Sequence, residues 1–195
     1  MSVGETRKAE ATRATLLRVA RDLFAQRGYA AVGTEEIVAA AGVTRGALYH
    51  HFEDKRDLFR AVHEGLEAEL VASIGARIEG IEDPWELLLT GTRAFLDATS
   101  DEALRRISLI EAPAVLGWEE WRAIGTRHSL GLVAFGLENA MERGIFRRQE
   151  VEPLAQLLLG ALTEAAMIIA NAEDPGAARE QVEPALLGLM AGLRE

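Results

Sequence analysis

The chain has 195 residues and a formal net charge of −10 at pH 7, and it contains no cysteine. That length allows one large or two small domains with a buried core, and 49% hydrophobic residues exclude a disordered chain. The lack of cysteine excludes thiolate catalysis, disulfide bonds and cysteine-ligated zinc. Residues 1–13 have no apolar run, so we expect no signal peptide and a cytoplasmic protein.

The charge is distributed unevenly along the chain. Residues 1–60 contain ten Lys or Arg against eight Asp or Glu, whereas residues 61–195 contain eleven against 23. An acidic protein repels the phosphate backbone of DNA, so any contact with DNA has to come from a local basic face near the N-terminal end. Ordinary solvated charge is the alternative interpretation.

The spacing of apolar residues is helical almost throughout, which predicts an all-α protein. Only 6% of the residues are aromatic, whereas Ala and Leu are abundant, and this composition favours helices packed on helices. The first predicted helix has an apolar face formed by Leu16, Ala20, Leu23 and Phe24. Gly28 follows at the position where a left-handed residue often ends a helix.

Three further helices are predicted to follow in quick succession. Thr34 is expected to cap a short second helix that Gly42 ends, and Thr44 to cap a third that runs to about Phe52. Asp54 can cap a long fourth helix. The apolar face of this fourth helix is formed by Phe59, Val62, Leu66, Leu70, Ile74 and Ile78.

The second and third helices, joined by a tight turn, make a helix-turn-helix arrangement. We expect the pair to be held together by Ala41, Val43, Leu48 and Phe52. The residues expected to face outward are Thr44, Arg45, Gly46, Tyr49 and His50. A recognition helix presents its N-terminal residues to base edges. Gly46 costs a helix about 1 kcal/mol relative to Ala, which indicates a close approach of its backbone to DNA.

Residues 33–59, GTEEIVAAAGVTRGALYHHFEDKRDLF, closely resemble the DNA-binding module of TetR-type transcriptional regulators. The similarity extends over residues 12–62, and residues 107–122, ISLIEAPAVLGWEEWR, look like one branch of that family. In the family a three-helix DNA reader is joined, through a long fourth helix, to a larger helical domain. The resemblance implies about nine helices, with a helix-turn-helix DNA-binding domain at residues 1–53 and a ligand-binding and dimerisation domain at residues 54–195.

The resemblance also implies roles for individual residues. Those expected to contact DNA phosphates are Thr34, Thr44, Tyr49 and Lys55. Those expected to lie nearest the base edges are Arg45, Gly46 and His50. Arg45 can read a guanine through paired hydrogen bonds. A basic arm that extends this surface can be formed by Arg7, Lys8 and Arg13.

Histidines beside acidic residues raise the alternative of a metal or catalytic site. His50 and His51 point about 100° apart on a helix, so they do not converge on one ion. His63 and Glu67 have the i, i+4 spacing of a metal pair, but a solvated helix pair explains them equally. No spacing supports a nucleophile, an acid–base pair or a glycine-rich phosphate loop, so we expect no metal, no cofactor and no enzyme.

Proline and capping residues mark the helices after residue 82. The predicted starts are Asp83 before Pro84, Ser100 before residues 101–106, Glu152 before Pro153 and Asp174 before Pro175. Pro113 is expected to end or kink the sixth helix after about Ile110 and to leave residues 112–117 as a loop. A long seventh helix is then predicted from Trp118 to about Arg143.

Residues 154–172 approach the length of a membrane span, but Glu164 lies near their centre, so we predict a buried helix and no membrane partner. These residues and residues 182–193 are apolar over more than one face, which the surface of a monomer does not tolerate. The resemblance implies a four-helix homodimer interface here, with apolar anchors at Leu154, Leu158, Leu162, Ile169, Leu186, Met190 and Leu193. A helix buried within one subunit is the alternative.

A ligand pocket is expected among the fourth to seventh helices. Its candidate wall residues, most of which are equally explained as core, are Trp85, Phe95, Trp118, Trp121, His128 and Phe135. Glu111 is the polar candidate, since a buried carboxylate needs a partner and can select a cationic or hydrogen-bonding ligand. A solvent-exposed Glu111 is the alternative.

These features predict a homodimeric regulator, usually a repressor, that binds a near-palindromic double-stranded DNA operator and is released by an unidentified small molecule. Two alternatives stay open at this point. One is a helical ligand-binding or enzymatic bundle with an incidental helix-turn-helix. The other is an architectural DNA protein that senses no ligand.

Overall fold

The computed structural model describes the backbone of residues 3–194 and the side chains of residues 7–194. Within that range the chain is built of α-helices and one π-helix, without a β-strand, which confirms the predicted all-α fold. The helices in chain order are α1 (Val3–Arg27), α2 (Thr34–Ala41), α3 (Arg45–His51), α4 (Lys55–Ile78), α5 (Pro84–Ala98), the π-helix (Leu104–Glu111), α6 (Ala112–Leu116), α7 (Trp118–Glu142), α8 (Val151–Asn171) and α9 (Pro175–Ala191).

The packing divides the chain into two compact units. Unit 1 comprises Met1–Leu66 and Glu102–Trp118, and unit 2 comprises Glu67–Asp101 and Glu119–Glu195. The π-helix and α6 therefore belong to the same unit as α1, α2 and α3. The domain boundary predicted after residue 53 remains a prediction.

Most helix ends carry the predicted caps. The Asp83 carboxylate accepts hydrogen bonds from the N–H groups of Trp85 and Glu86 at 2.8 and 3.0 Å, and Asp174 caps α9 in the same way. Three predicted starts are wrong. Ser100 does not cap the helix that follows it, because the N-cap of the π-helix is Ala103. Gly33, whose backbone is extended, is the N-cap of α2, so Thr34 is already inside the helix. Helix α8 begins at Val151, before the predicted start at Pro153.

The segment around Pro113 does not form the predicted loop. The chain winds as a π-helix through Glu111 and continues directly into α6, where Pro113 lies in the first turn. Pro113 therefore lies within a continuous helical run instead of ending it, and Gly117 ends α6 with a φ of 83°.

The core of unit 1 is centred on three aromatic rings. The Phe59 ring lies 5.3 Å from the Phe24 ring and 5.1 Å from the Tyr29 ring, both in edge-to-face geometry, and Phe24 and Phe59 are fully buried. Such pairs add about 0.5–1.5 kcal/mol to the energy of burial.

The apolar face predicted for α4 is confirmed as buried. Its residues are Phe59, Val62, Leu66, Leu70, Ile74 and Ile78.

The core of unit 2 is formed by α5, α7, α8 and α9, with α8 packed along α9. By length and composition alone, α8 is apolar enough to cross a membrane. Several of its residues belong to this core, as do residues of α9: Leu158, Leu162, Ile169, Leu186 and Met190. Burial inside the chain therefore accounts for one side of α8, whereas Leu157 and Ile168 on another side are exposed.

The predicted dimer anchors need correction. Five of the seven lie in the core of unit 2, and the other two, Leu154 and Leu193, are partly buried at its edge. A side chain that is already buried in its own subunit offers no surface to a partner. Because α8 is apolar on more than one side, the sequence did not reveal which side faces inward.

Candidate DNA interface

The turn between α2 and α3 is set by Gly42. It has a φ of 65°, and its N–H donates to the carbonyl of Ala39 at 3.2 Å, while the N–H of Val43 donates to the carbonyl of Val38 at 3.1 Å. These bonds end α2 and reverse the chain, because only glycine takes this left-handed conformation readily. Leu48 of α3 is buried, which confirms its predicted role in locking the pair.

Thr44 is the N-cap of α3, as predicted. Its hydroxyl oxygen accepts a hydrogen bond from the N–H of Ala47 at 3.2 Å. A hydroxyl that accepts one bond can still donate its proton, so Thr44 can bond an external acceptor while it caps the helix.

The outward face of α3 has the predicted orientation. The side chains or backbone of five residues are exposed: Thr44, Arg45, Gly46, Tyr49 and His50. Contact of these residues with DNA remains a prediction.

Arg45 is held across this face by two neighbours. Its guanidinium Nη1 lies 2.8 Å from the carboxylate of Glu35 in α2, and its guanidinium carbon lies 5.5 Å from the centre of the Tyr49 ring. The sequence alone does not indicate this role of Glu35. The pairing depends on the tight turn, which brings two positions ten residues apart into contact.

Gly46 has no structural reason to be a glycine within the chain. A Cβ atom at this position would meet only the hydroxyl of Thr44, at 3.9 Å. The backbone of Gly46 has no positive φ. The open space therefore favours an external explanation, such as the close approach of DNA.

We expect Gly46→Ala to stabilise the protein and to weaken its binding to DNA. Removing a glycine from an exposed helix raises the free energy of unfolding by about 0.5–1 kcal/mol. The added methyl group would keep the backbone from DNA, with a loss of affinity on the order of tenfold. Urea unfolding and DNA titration of the same preparation measure both effects. Unchanged affinity in a stabilised variant would show that Gly46 does not approach DNA closely.

Lys55 has partners within the chain, and its contact with a DNA phosphate remains a prediction. Its ammonium donates to the carbonyls of Tyr29 and Val32 at 2.8 and 2.9 Å, and it lies 4.0 Å from the centre of the Tyr29 ring. Lys55 thus closes the loop between α1 and α2. The same loop is held by Arg27, which pairs with Glu36. Lys55 supports the reader from within the chain.

The residues of the predicted basic arm lie on α1. Arg7 and Lys8 are exposed, and the guanidinium carbon of Arg13 lies 5.3 Å from the centre of the Phe52 ring. Burial, together with the charges of His50 and Arg13, lowers the pKa of His51. Among Arg7, Lys8 and Arg13, it is therefore Arg13 that lies beside the end of α3.

The histidines do not form a recognisable metal centre within residues 7–194. No group of three His, Asp or Glu side chains in that range can hold an ion. His63 is not the solvated residue that was considered, because it is fully buried with its Nδ1 2.9 Å from the hydroxyl of Ser108. Burial raises the pKa of Glu67 to about 7.

Glu111, the polar candidate for a ligand, has partners within the chain, and a ligand-binding role for it remains a prediction. One carboxylate oxygen accepts the N–H of Tyr29 at 2.6 Å, and the other lies 3.5 Å from Nε of Arg106. Arg106 also donates to the carbonyls of Ala25 and Gln26 at 3.3 and 3.0 Å. Glu111 and Arg106 therefore hold the end of α1, where a Cβ atom on Gly28 would meet the ends of both side chains.

The other candidate pocket residues have varied surroundings. In unit 2, Trp85 packs against Phe146 at 6.0 Å between ring centres and beneath the guanidinium of Arg194 at 4.8 Å. Phe95 packs against the core of unit 2, Trp121 is buried and His128 is half-buried. Trp118 and Phe135 are exposed. A ligand-binding role for these residues remains a prediction.

The geometry defines a helix-turn-helix DNA reader followed by an all-helical C-terminal region. Residues 16–62 match the family model "Bacterial regulatory proteins, tetR family", and residues 85–193 match the model "Tetracyclin repressor-like, C-terminal domain". The chain belongs to the TetR family and is a DNA-binding transcriptional regulator.

Three comparisons illustrate this relationship. The crystal structure of a TetR-family regulator from Pectobacterium atrosepticum has 37% identity and a TM-score of 0.87, and the match covers 100% of this chain and 98% of that one. The regulator AcrR of Shigella flexneri is 41% identical over 103 residues, 51% of this chain and 47% of AcrR. RolR in complex with resorcinol has the same fold, with 23% identity, a TM-score of 0.74 and coverage of 96% and 92%.

Proposed function

We propose that the chain works as a homodimer that binds a near-palindromic operator, represses transcription there and leaves the DNA when a small molecule binds. The observation that carries the proposal is the exposed face of α3, where Arg45, Tyr49 and His50 all point outward beside the capping residue Thr44. This face offers both hydrogen-bond donors for base edges and groups for phosphates.

The dimer is proposed to form through exposed apolar residues of α8 and α9. Leu157 is 73% exposed and Leu189 68% exposed, and Ile168 lies on the same side of α8 as Leu157, eleven residues further along. Cβ atoms at Gly160 and Gly188 would meet nothing in the chain, so a second subunit can approach closely there. We call Leu157, Ile168 and Leu189 the α8–α9 face. Two chains joined in this way would place two readers on one DNA duplex.

The release by a small molecule is proposed from the position of the π-helix and α6 within unit 1. Arg56 of α4 donates to the carbonyls of Val115 and Leu116 at 3.2 and 2.8 Å, and Glu111 holds the N–H of Tyr29. A ligand that shifts α4 or α6 would therefore alter the reader directly. RolR, whose fold is the same, binds resorcinol.

The proposal includes a cytoplasmic location and no enzymatic activity. AcrR and the regulator from Pectobacterium atrosepticum are both named as transcriptional regulators.

The proposed release has a thermodynamic consequence. If an effector weakens the binding of DNA, linkage requires that DNA weaken the binding of the effector by the same factor, commonly about 5- to 150-fold.

A direct test begins with selection of the preferred duplex from a random-sequence library by the purified protein. Fluorescence anisotropy at about 150 mM salt then measures the affinity of the protein for that duplex and for a shuffled one. A specific regulator binds the shuffled duplex at least about 1,000-fold more weakly. Tyr49→Ala is expected to weaken binding to both duplexes, and Tyr49→Phe, which lacks only the hydroxyl, isolates the phosphate contact. Equal binding of the wild-type protein to both duplexes would contradict the proposal and favour an architectural protein.

A further inference from the structure

We propose that Glu35 is a positioning residue that makes DNA recognition selective, by holding the guanidinium of Arg45 towards a base edge and away from phosphates. The inference rests on the proposed role of Arg45 in reading DNA. It adds a determinant of specificity on α2, outside the recognition helix itself.

The geometry around Arg45 is that of a held side chain. Glu35 and Tyr49 contact the guanidinium from two different helices, the first through an ion pair of 2.8 Å and the second through its ring face. The side chains of Arg45 and Glu35 are 65% and 68% exposed. An ion pair this exposed contributes little to the stability of the fold, so stability does not explain it.

The neighbouring acidic residue has a different partner. Glu36 pairs with Arg27 at the end of α1 and so serves the packing of α1 on α2. The first turn of α3 contains no acidic residue of its own. Glu35 is therefore the carboxylate that faces Arg45 across the turn.

The chemistry of guanidinium explains how such a pair can raise selectivity. Arginine has five N–H donors, so one bond to Glu35 leaves a pair that can bond the O6 and N7 atoms of a guanine. A long side chain without this restraint can turn to the nearest phosphate, and a phosphate contact carries no sequence information. The charge of Glu35 also repels phosphates from the same place. Glu35 thus lowers general affinity for DNA and raises the ratio between specific and non-specific binding.

The test compares Glu35→Gln, Arg45→Ala and the double variant in the full-length protein. Asp22→Asn is the matched control, because Asp22 is exposed on α1, pairs with Arg18 and has the same charge. Binding is measured at several salt concentrations to the duplex selected by the wild-type protein and to its shuffled form. Glu35→Asp keeps the negative charge, so it is expected to be more selective than Glu35→Gln and less selective than the wild-type protein.

We expect Glu35→Gln to bind the shuffled duplex more tightly than the wild-type protein does, and its ratio of specific to non-specific affinity to fall by on the order of tenfold. The salt dependence of binding to the shuffled duplex should steepen by about 0.9 in log–log slope, since one more phosphate is neutralised. Both effects should disappear when Arg45 is replaced by Ala. A role limited to fold stability would not change the salt slope.

Two results would overturn the inference while leaving the proposed function intact. In one, Glu35→Gln changes both duplexes only as Asp22→Asn does, so that total charge is the cause. In the other, the effect of Glu35→Gln persists in the Arg45→Ala background. A wild-type protein with no preference for its selected duplex would overturn the proposed function and this inference together.

Discussion

The double substitution Leu157→Glu and Leu189→Glu is expected to give a monomer that binds its operator at least about 100-fold more weakly than the wild-type protein, because the second reader is no longer tethered to the first. Both leucines are exposed, so the substitutions place carboxylates on the α8–α9 face without disturbing the core. Two added charges on each subunit would face their counterparts across the dimer axis.

Sedimentation velocity at micromolar protein concentration measures the change in mass, and anisotropy measures the change in affinity. The matched control is Ala72→Glu with Ala123→Glu, which adds the same two charges at exposed positions of α4 and α7. The control is expected to remain a dimer. A Leu157→Glu and Leu189→Glu protein that is still dimeric would show that the α8–α9 face is not the interface.

Phe59→Ala is expected to lower the free energy of unfolding by about 3–5 kcal/mol, the usual cost of removing a buried phenylalanine. The Phe59 ring is fully buried and contacts both Phe24 and Tyr29, so its removal leaves a cavity between α1 and α4. Since small domains are stable by only about 5–15 kcal/mol, this loss is a large fraction of the free energy of unfolding.

Urea denaturation followed by circular dichroism measures this loss, and a DNA titration shows whether the reader survives. Phe135→Ala removes the same side chain from the exposed face of α7 and is expected to cost about 1 kcal/mol or less. If Phe59→Ala proved as mild as Phe135→Ala, the aromatic cluster would not be the centre of the core of unit 1.

Local signals were sufficient for most of the fold and for the orientation of the reader. The caps at Thr44, Asp83 and Asp174 and the left-handed Gly42 depend on a few neighbouring residues, and the structure contains all four. The outward face of α3 follows from the same local pattern, because Leu48 alone fixes which side of so short a helix is buried.

Features that depend on distant parts of the chain were missed. Pro113 predicted a helix end, whereas the chain winds as a π-helix before it and continues through it as α6. Lys55 and Glu111 were assigned to external partners, although backbone groups near Tyr29 bind both side chains. Charged residues of this kind look the same in sequence whether their partner is a ligand, a phosphate or the chain itself.

The inward side of α8 was missed for a different reason. A helix that is apolar all round has no periodicity from which its buried side can be read. Leu158 and Leu157 are adjacent in sequence, yet the first is in the core and the second is exposed. The packing of α8 on α9 and α5 makes this distinction.

The central claim is that two copies of the chain read one operator through two α3 helices. It is tested most directly by moving the two half-sites of the selected operator apart by five base pairs, which turns one half-site to the opposite side of the duplex. We predict that this insertion reduces the affinity for the operator to that for a single half-site. An insertion of ten base pairs, about one helical turn, is expected to leave a higher affinity than the insertion of five. Affinity that does not depend on the spacing would contradict the account.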